Sequence, residues 1–449
     1  MGKARIKIDA ASLVPGMYVA QLDRPWLETP FLFQGFEVRE VGEINQLRYY
    51  CQHVYVDPAR SSLGESEIEA RRQSRKPVAQ LQVLQENTGI RGNLYSHASR
   101  PSLMRRVASF FANLDPSGTL NDRMSGIRTY RNRGTIQQEA PKAKVAYRAA
   151  VQTVNTLLEH VHAGRGVDLD SVQNAVSPVI DSVMRNPDAM VWLVGLQKRD
   201  EYSYHHSIAS SVWAVVLGRH LGFDPRALET LAVGGMLLDV GKARLPEDLL
   251  RKEGNLSNYE VNLLRQHVDY SLDMVSKTPG IGREVLDMIE YHHERHDGSG
   301  YPKGTEGADI PVYGRISGLV DCYDAMITAR VYAPAMSTYD AICELNSQAC
   351  VLFQRELVEQ FVQAMGMFPT GSLVELNSGE VGIVIKQNRV RRLRPKVMLV
   401  LAADKQPLDK QKTIDLRQLP SDTRKANSRW IVQGHEAGAF GIDPKNYFN

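Results

Sequence analysis

The sequence predicts a mainly α protein. An all-α domain over residues 142–370 stands between a small α+β N-terminal domain and a small β-rich C-terminal appendage. Three observations carry this. From about Lys142 onward, apolar residues recur at spacings of three and four, the stripe an amphipathic helix needs. No alternating pattern is sustained between those helical stretches. After Pro369-Thr370-Gly371 the period changes to two.

Residues 1–57 mix short β-like runs with turns. Lys7-Ile8-Asp9 and Met17-Tyr18-Val19-Ala20 read as strands around Val14-Pro15-Gly16, and Val54-Tyr55-Val56-Asp57 reads as another. The aromatics Trp26, Phe31, Phe33 and Phe36 between them are expected to build a small core. Residues 58–141 are rich in Arg, Ser, Gln and Asn, with Arg71-Arg72-Gln73-Ser74-Arg75-Lys76 as one basic run. They read as a polar, partly disordered linker, because no stacking aromatics accompany the arginines.

The helical domain opens with Val151, Val154, Leu157, Leu158 and Val161 on one stripe. Further helices are expected over Asp170–Arg185, Met190–Lys198, Ser207–Leu221, Ala227–Val240, Asn258–Ser276 and Ile281–His293. Residues 371–420 hold three strand-like runs, Ser372–Leu376, Val381–Ile385 and Lys396–Val400, with a hairpin signal at Asn377-Ser378-Gly379-Glu380. Residues 421–449 read as an irregular tail.

Of the 449 residues, 43% are hydrophobic and 23% charged, ordinary for a soluble domain. A net charge of +3 gives no bulk attraction to nucleic acid or a membrane, so no nucleic-acid partner is expected. The start, Met1 to Ile6, has no apolar signal region, and Ile6 stands where a myristoylation signal needs Ser or Thr. No apolar run is long enough for a membrane span. Cys51, Cys322, Cys343 and Cys350 form no CxxC pair and no disulfide framework, so a cytoplasmic location is expected.

Several polar residues sit within or beside apolar helix, where a bare charge is costly. They are His206, which opens a helix, Asp239 near the end of one, His267 within one, His292-His293-Glu294 closing one, and Asp321 after an apolar run. Convergence on a divalent metal would resolve that cost, and imidazole with carboxylate suits Fe, Mn, Ni or Zn.

Together with the loop His296-Asp297-Gly298-Ser299-Gly300-Tyr301-Pro302, the order of these residues resembles the HD-GYP family of bacterial cyclic di-GMP phosphodiesterases. The resemblance runs from about residue 190 to 345. The N-terminal segment, in Leu22-Asp23-Arg24-Pro25-Trp26 and Gln34-Gly35-Phe36, is similar to the small domain that often precedes it.

The resemblance implies metal ligands at His206, Asp239, His267, His292, His293 and Asp321, holding up to two ions with Asp239 as the bridge. It also implies that Lys242 faces the scissile phosphate. Tyr301, Gly300, Pro302 and Arg330 fall where the family contacts its ligand. Two metal ions of this kind activate water and clamp the phosphodiester for in-line attack.

The sequence departs from the family in three places. Leu238 stands where the histidine of the HD pair belongs, so the second ion keeps His206, Asp239 and Asp321 but loses a nitrogen donor. Ala333 replaces the phosphate-binding lysine three residues after Arg330. Tyr202 replaces the carboxylate that holds a third metal in some members. The expected function is therefore cyclic di-GMP signalling with weakened or lost hydrolysis, through ligand binding or partners such as diguanylate cyclases, with a homodimer possible. An active phosphodiesterase is the alternative.

Overall fold

A computed structural model describes residues 5–23, 35–38, 41–73, 128–195, 202–329, 335–388, 391–419, 428–442 and 447. The chain divides into two compact units.

The first unit carries a four-stranded antiparallel sheet of β1 (Ile6–Asp9), β2 (Tyr18–Leu22), β3 (Phe36–Glu37) and β4 (His53–Val56), in the order β1-β4-β2-β3. Alternation sets its faces. Ile6 and Ile8 point inward while Lys7 and Asp9 are exposed, and Ile8 pairs with Val54 across the ladder. Helix α1 (Val41–Tyr50) adds Ile44 and Leu47 to the core.

This core differs from the expected one in two ways. Among the described residues it is aliphatic, with Phe36 and Tyr50 packed at its edge; Trp26, Phe31 and Phe33 lie outside the described residues. It also reaches beyond residue 57. Helix α2 (Glu65–Gln73), inside the expected linker, buries Ile68 completely in it. Polar composition concealed that helix, since Ile68 is its one large apolar side chain.

In the second unit the helical part begins before residue 142. Helix α3 (Ile136–His162) starts with a capping box in which Thr135 and Gln138 satisfy each other's backbone N–H groups, and it carries Pro141 in its second turn. Its buried stripe runs through Ala143, Tyr147, Ala150, Val154, Leu157 and Val161. Glu139 on α3 accepts two hydrogen bonds from the Arg185 guanidinium, at 2.8 and 2.9 Å, which ties α3 to the end of α4 (Leu169–Arg185).

After α5 (Pro187–Gly195) come two central helices, α6 (Tyr202–Leu221) and α7 (Pro225–Leu237). A Cβ on Gly235 would lie 2.6 Å from Ser211 Cα, so these two helices touch backbone to backbone. Short α8 (Glu247–Leu250) leads to α9 (Asn258–Arg265) and α10 (His267–Val275). The sequence suggested one helix over Asn258–Ser276; the chain breaks at Gln266, so His267 opens α10 and is not mid-helix. Helices α11 (Arg283–Tyr291), α12 (Val312–Ile327), α13 (Thr338–Ser347) and α14 (Arg355–Met365) complete the set around Trp213, Phe223, Tyr323 and Phe361.

The C-terminal sheet has five antiparallel strands: β5 (Leu373–Leu376), β6 (Val381–Lys386), β7 (Lys396–Leu401), β8 (Pro407–Asp415) and β9 (Ile431–His435), in the order β8-β7-β6-β5-β9. Strand β9 corrects the expectation of an irregular tail. Its signal was weak, with two apolar residues followed by Gln433-Gly434-His435. Gly434 nevertheless pairs with Val374, and a Cβ there would meet Tyr339 Cβ at 3.0 Å. Strand β8 is polar because it is an edge strand, where lysines discourage further pairing. Among the described residues no helix is long and apolar enough to cross a membrane.

Candidate metal centre

The turn after α7 presents Asp239. It is pinned from below by Ser271 of α10, whose hydroxyl donates to the Leu238 carbonyl at 3.1 Å and accepts from Gly241 N–H at 2.8 Å. Gly241 is required for this approach, because a Cβ there would collide with the His267 carbonyl. Asp239 and His267, 28 positions apart in sequence, are thus locked together by one hydroxyl and one glycine.

Two donor groups result, and Asp239 belongs to both. Asp239, His267, His292 and His293 each offer a ligand atom, all within 4.8 Å of one another; so do His206, Asp239 and Asp321. His292 and His293 follow the end of α11, Asp321 lies on α12 and His206 on α6.

The first group fits a metal ion. His267 Nδ1–H donates to the Leu264 carbonyl and His292 Nδ1–H to the Ile289 carbonyl, both at 2.7 Å. Burial pushes the pKa of His267 down to about 4 and lowers that of His292, so both rings are neutral. With their protons on Nδ1, the two Nε2 atoms are bare acceptors, 3.4 Å apart. Asp239 Oδ1 lies 3.3 Å from His267 Nε2, buried and without a hydrogen-bond donor. Three acceptors facing one another repel unless a cation sits among them. His293 Nε2 closes the group, 3.1 Å from His267 Nε2.

The second group has two carboxylates against one in the first, and one donor fewer. His206 Nε2 is 2.9 Å from Asp321 Oδ1 and 3.3 Å from Asp239 Oδ2. Its Nδ1 is 2.7 Å from Asp324 Oδ2, and the other oxygen of Asp324 accepts from the Trp213 indole N–H at 2.9 Å. Burial alone would raise the carboxyl pKa of Asp239, but Lys242 and His206 hold it well below the ordinary range. Burial opposes ionisation of Asp321 too, and its hydrogen bond with His206 overrides it. Lys242, on the 3-10 turn Val240–Arg244, puts Nζ 2.5 Å from Asp239 Oδ2. Leu238 is only 1% exposed and offers no donor.

The loop after His293 folds over this centre. Tyr301 N–H donates to the His293 carbonyl at 3.2 Å, and the Tyr301 ring stacks on His293 with centroids 4.5 Å apart. A Cβ on Gly300 would come within 2.5 Å of the His293 carbonyl and the backbone of Glu294 and Arg295. Pro302 follows across a cis peptide bond. Glu294, buried, accepts the N–H groups of Lys303 at 2.7 Å and Thr305 at 3.1 Å.

The six expected ligand positions and Lys242 are therefore brought together, with the Gly300-Tyr301-Pro302 loop beside them. Arg330 and Ala333 lie outside the described residues, as does the side chain of Tyr202. Asp324 and Trp213 were not among the expected site residues. Asp324 carried a usable signal, since it falls three residues after Asp321 on the same face of an apolar helix. His205, beside His206, turns to the Tyr147 hydroxyl at 2.7 Å.

Comparison with known proteins adds the family. Residues 190–357 match an HD domain, residues 5–172 a domain of unknown function (DUF3391), and residues 373–421 a KOW domain associated with HD domains. A cyclic di-GMP phosphodiesterase of Pseudomonas aeruginosa is 30% identical over 287 residues, 63% of this chain and 68% of that protein. This chain belongs to the HD-GYP family. The cyclic di-GMP phosphodiesterase response regulator RpfG of Xanthomonas campestris is 32% identical over 167 residues, 35% of this chain and 44% of RpfG. The 3'3'-cGAMP-specific phosphodiesterase 1 of Vibrio cholerae is 32% identical over 153 residues, 33% of this chain and 34% of that one. The chain thus spans two thirds of the Pseudomonas relative but less than half of the other two. A solved structure, an HDG"Y"P protein from Bdellovibrio bacteriovorus, aligns at 16% identity with a TM-score of 0.43, over 80% of this chain and 98% of that one.

Proposed function

We propose that this chain binds cyclic di-GMP over the donor groups of its helical domain and hydrolyses it weakly or not at all. One observation carries the reading: the two donor groups share Asp239 but are unequal, four donors against three, with buried Leu238 where the family has a histidine. An ion of Fe, Mn, Ni or Zn would be held by Asp239, His267, His292 and His293, and a second, loosely, by His206, Asp239 and Asp321. Bound ions would polarise the phosphodiester and acidify a water.

The chain's own residues do the rest. Asp324 fixes the ring of His206, so that Nε2 points at Asp239 and Asp321. Lys242 keeps a positive charge at Asp239, where it would offset charge gathering on a phosphate oxygen. Tyr301 and His293, stacked, wall one side against water. The proposal places this activity in the cytoplasm, and gives the loop around Tyr301 a second role as a surface for diguanylate cyclases.

The other reading is full hydrolysis. It is favoured by the retention of all six donor positions with Lys242 at Asp239. Incubating Mn- or Fe-loaded protein with cyclic di-GMP and resolving the products separates the two. Binding without linear dinucleotide or GMP supports the proposal. Turnover that disappears in His293→Ala and is not raised by Leu238→His overturns it in favour of the second reading.

A further inference from the structure

We infer that Arg265 is a ligand-binding residue, and that its guanidinium takes the phosphodiester of the cyclic dinucleotide that is not held at the donor groups. This rests on the function proposed above.

A cyclic dinucleotide carries two phosphodiesters, each with one negative charge. The donor groups can hold one of them. The other needs a cation nearby, or it arrives beside the carboxylates of Asp239, Asp321 and Asp324 uncompensated. The resemblance implies Arg330 and a lysine three residues after it at a phosphate. Lys242 is committed to Asp239. The lysine that the family places three residues after Arg330 is Ala333 in this sequence.

Arg265 is placed to fill that role. It is the last residue of α9, two positions before His267, so its backbone is fixed relative to the donors. Its guanidinium carbon lies 4.7 Å from the centroid of the Tyr301 ring, the ring that stacks on His293. It is exposed, and among the described residues it makes no ion pair with a carboxylate. A guanidinium lying over an aromatic ring keeps its N–H edge free, and that edge matches a phosphate. A purely structural arginine is the competing account: a helix C-terminus favours a cation, and so does an aromatic face. The two accounts differ in what they expect of ligand affinity.

The test is calorimetric titration of the metal-loaded full chain with cyclic di-GMP, for wild type, Arg265→Gln and Arg265→Lys, with metal content and thermal melting measured on the same samples. The inference expects Arg265→Gln to bind roughly tenfold to a hundredfold more weakly, the range for a hydrogen bond between charged groups, at unchanged metal content. It expects Arg265→Lys to recover only part of the loss, because lysine keeps the charge but not the stacked, two-pronged N–H edge. Equal affinity of Arg265→Gln and wild type, with or without a lower melting temperature, overturns it. A wild-type chain that binds no cyclic di-GMP overturns the proposed function, and this inference with it.

Discussion

His206 is held from both sides of its ring: Nδ1 lies 2.7 Å from Asp324 Oδ2, while Nε2 faces Asp321 and Asp239. A carboxylate behind a ligating imidazole fixes its tautomer and strengthens its nitrogen as a donor. In the group that has only three donors, that support matters more than it would with four. Asp324→Asn keeps the shape but removes the charge. It is expected to weaken the ion at His206, Asp239 and Asp321 by about 10–100-fold, and to leave the ion at His267 in place. Metal analysis after dialysis against graded chelator reads this directly. Equal loss of both ions would refute the assignment of Asp324 to one of them.

Leu238→His tests the unequal donor groups from the other direction. The side chain leaves the turn that Ser271 pins to α10, so a histidine there starts from the same backbone anchor. Metal content is expected to rise from about one ion per chain toward two, as a donor is added to the poorer group. Turnover of cyclic di-GMP should rise with it if the missing ligand is the main defect. Because Leu238 is buried, circular dichroism and melting must show the variant folded before its metal content is read. A folded variant with unchanged metal content would mean that Leu238 does not limit occupancy.

These two residues also mark how far the sequence could be read. Asp239, His267, His292 and His293 were legible because buried polar residues in apolar helices have few uses, and their order matched a family. The arrangement that brings them together was not. It depends on Gly241, Ser271 and Gly235, whose close backbone contacts leave no periodic signal. The helices were legible wherever a stripe was long, as in α3 and α4. Short or polar elements were not. Helix α2 was hidden in a basic run with Ile68 as its anchor, and β8 and β9 lack the apolar alternation that marks a strand. The break at Gln266, which turns His267 into a helix-opening residue, has no Pro or Gly to announce it.

Gly300→Ala should dismantle the loop without touching a donor. A Cβ there meets backbone atoms of three residues at 2.5 Å, and backbone cannot rotate aside as a side chain would. Overpacking of this kind costs about 1–3 kcal/mol. The variant is expected to melt several degrees lower, by about 2–4 °C per kcal/mol in a domain of this size. Its affinity for cyclic di-GMP should fall as Tyr301 leaves His293, while its metal content stays near that of wild type. A variant that melts and binds like wild type would show that the loop can relax around the added methyl, and that its close approach to Glu294 is not needed.

Acid should release the ion of the four-donor group by proton competition, and the pH window follows from His267. A metal needs the neutral ring, and burial has lowered its pKa to about 4 from the ordinary 6.5. Lowering the pKa widens the range over which the ring stays neutral, so binding gains on the acid side. Retention of the ion is therefore expected to be flat from neutral pH to about 5, and to fall as the pH drops through about 4. An ordinary exposed histidine would begin to release its metal near its unperturbed pKa of about 6.5. Equilibrating Mn-loaded protein at each pH and measuring residual metal gives the curve. Loss beginning near pH 6.5 would mean that the ring is not as deeply shielded as its position between Asp239, His292 and His293 implies.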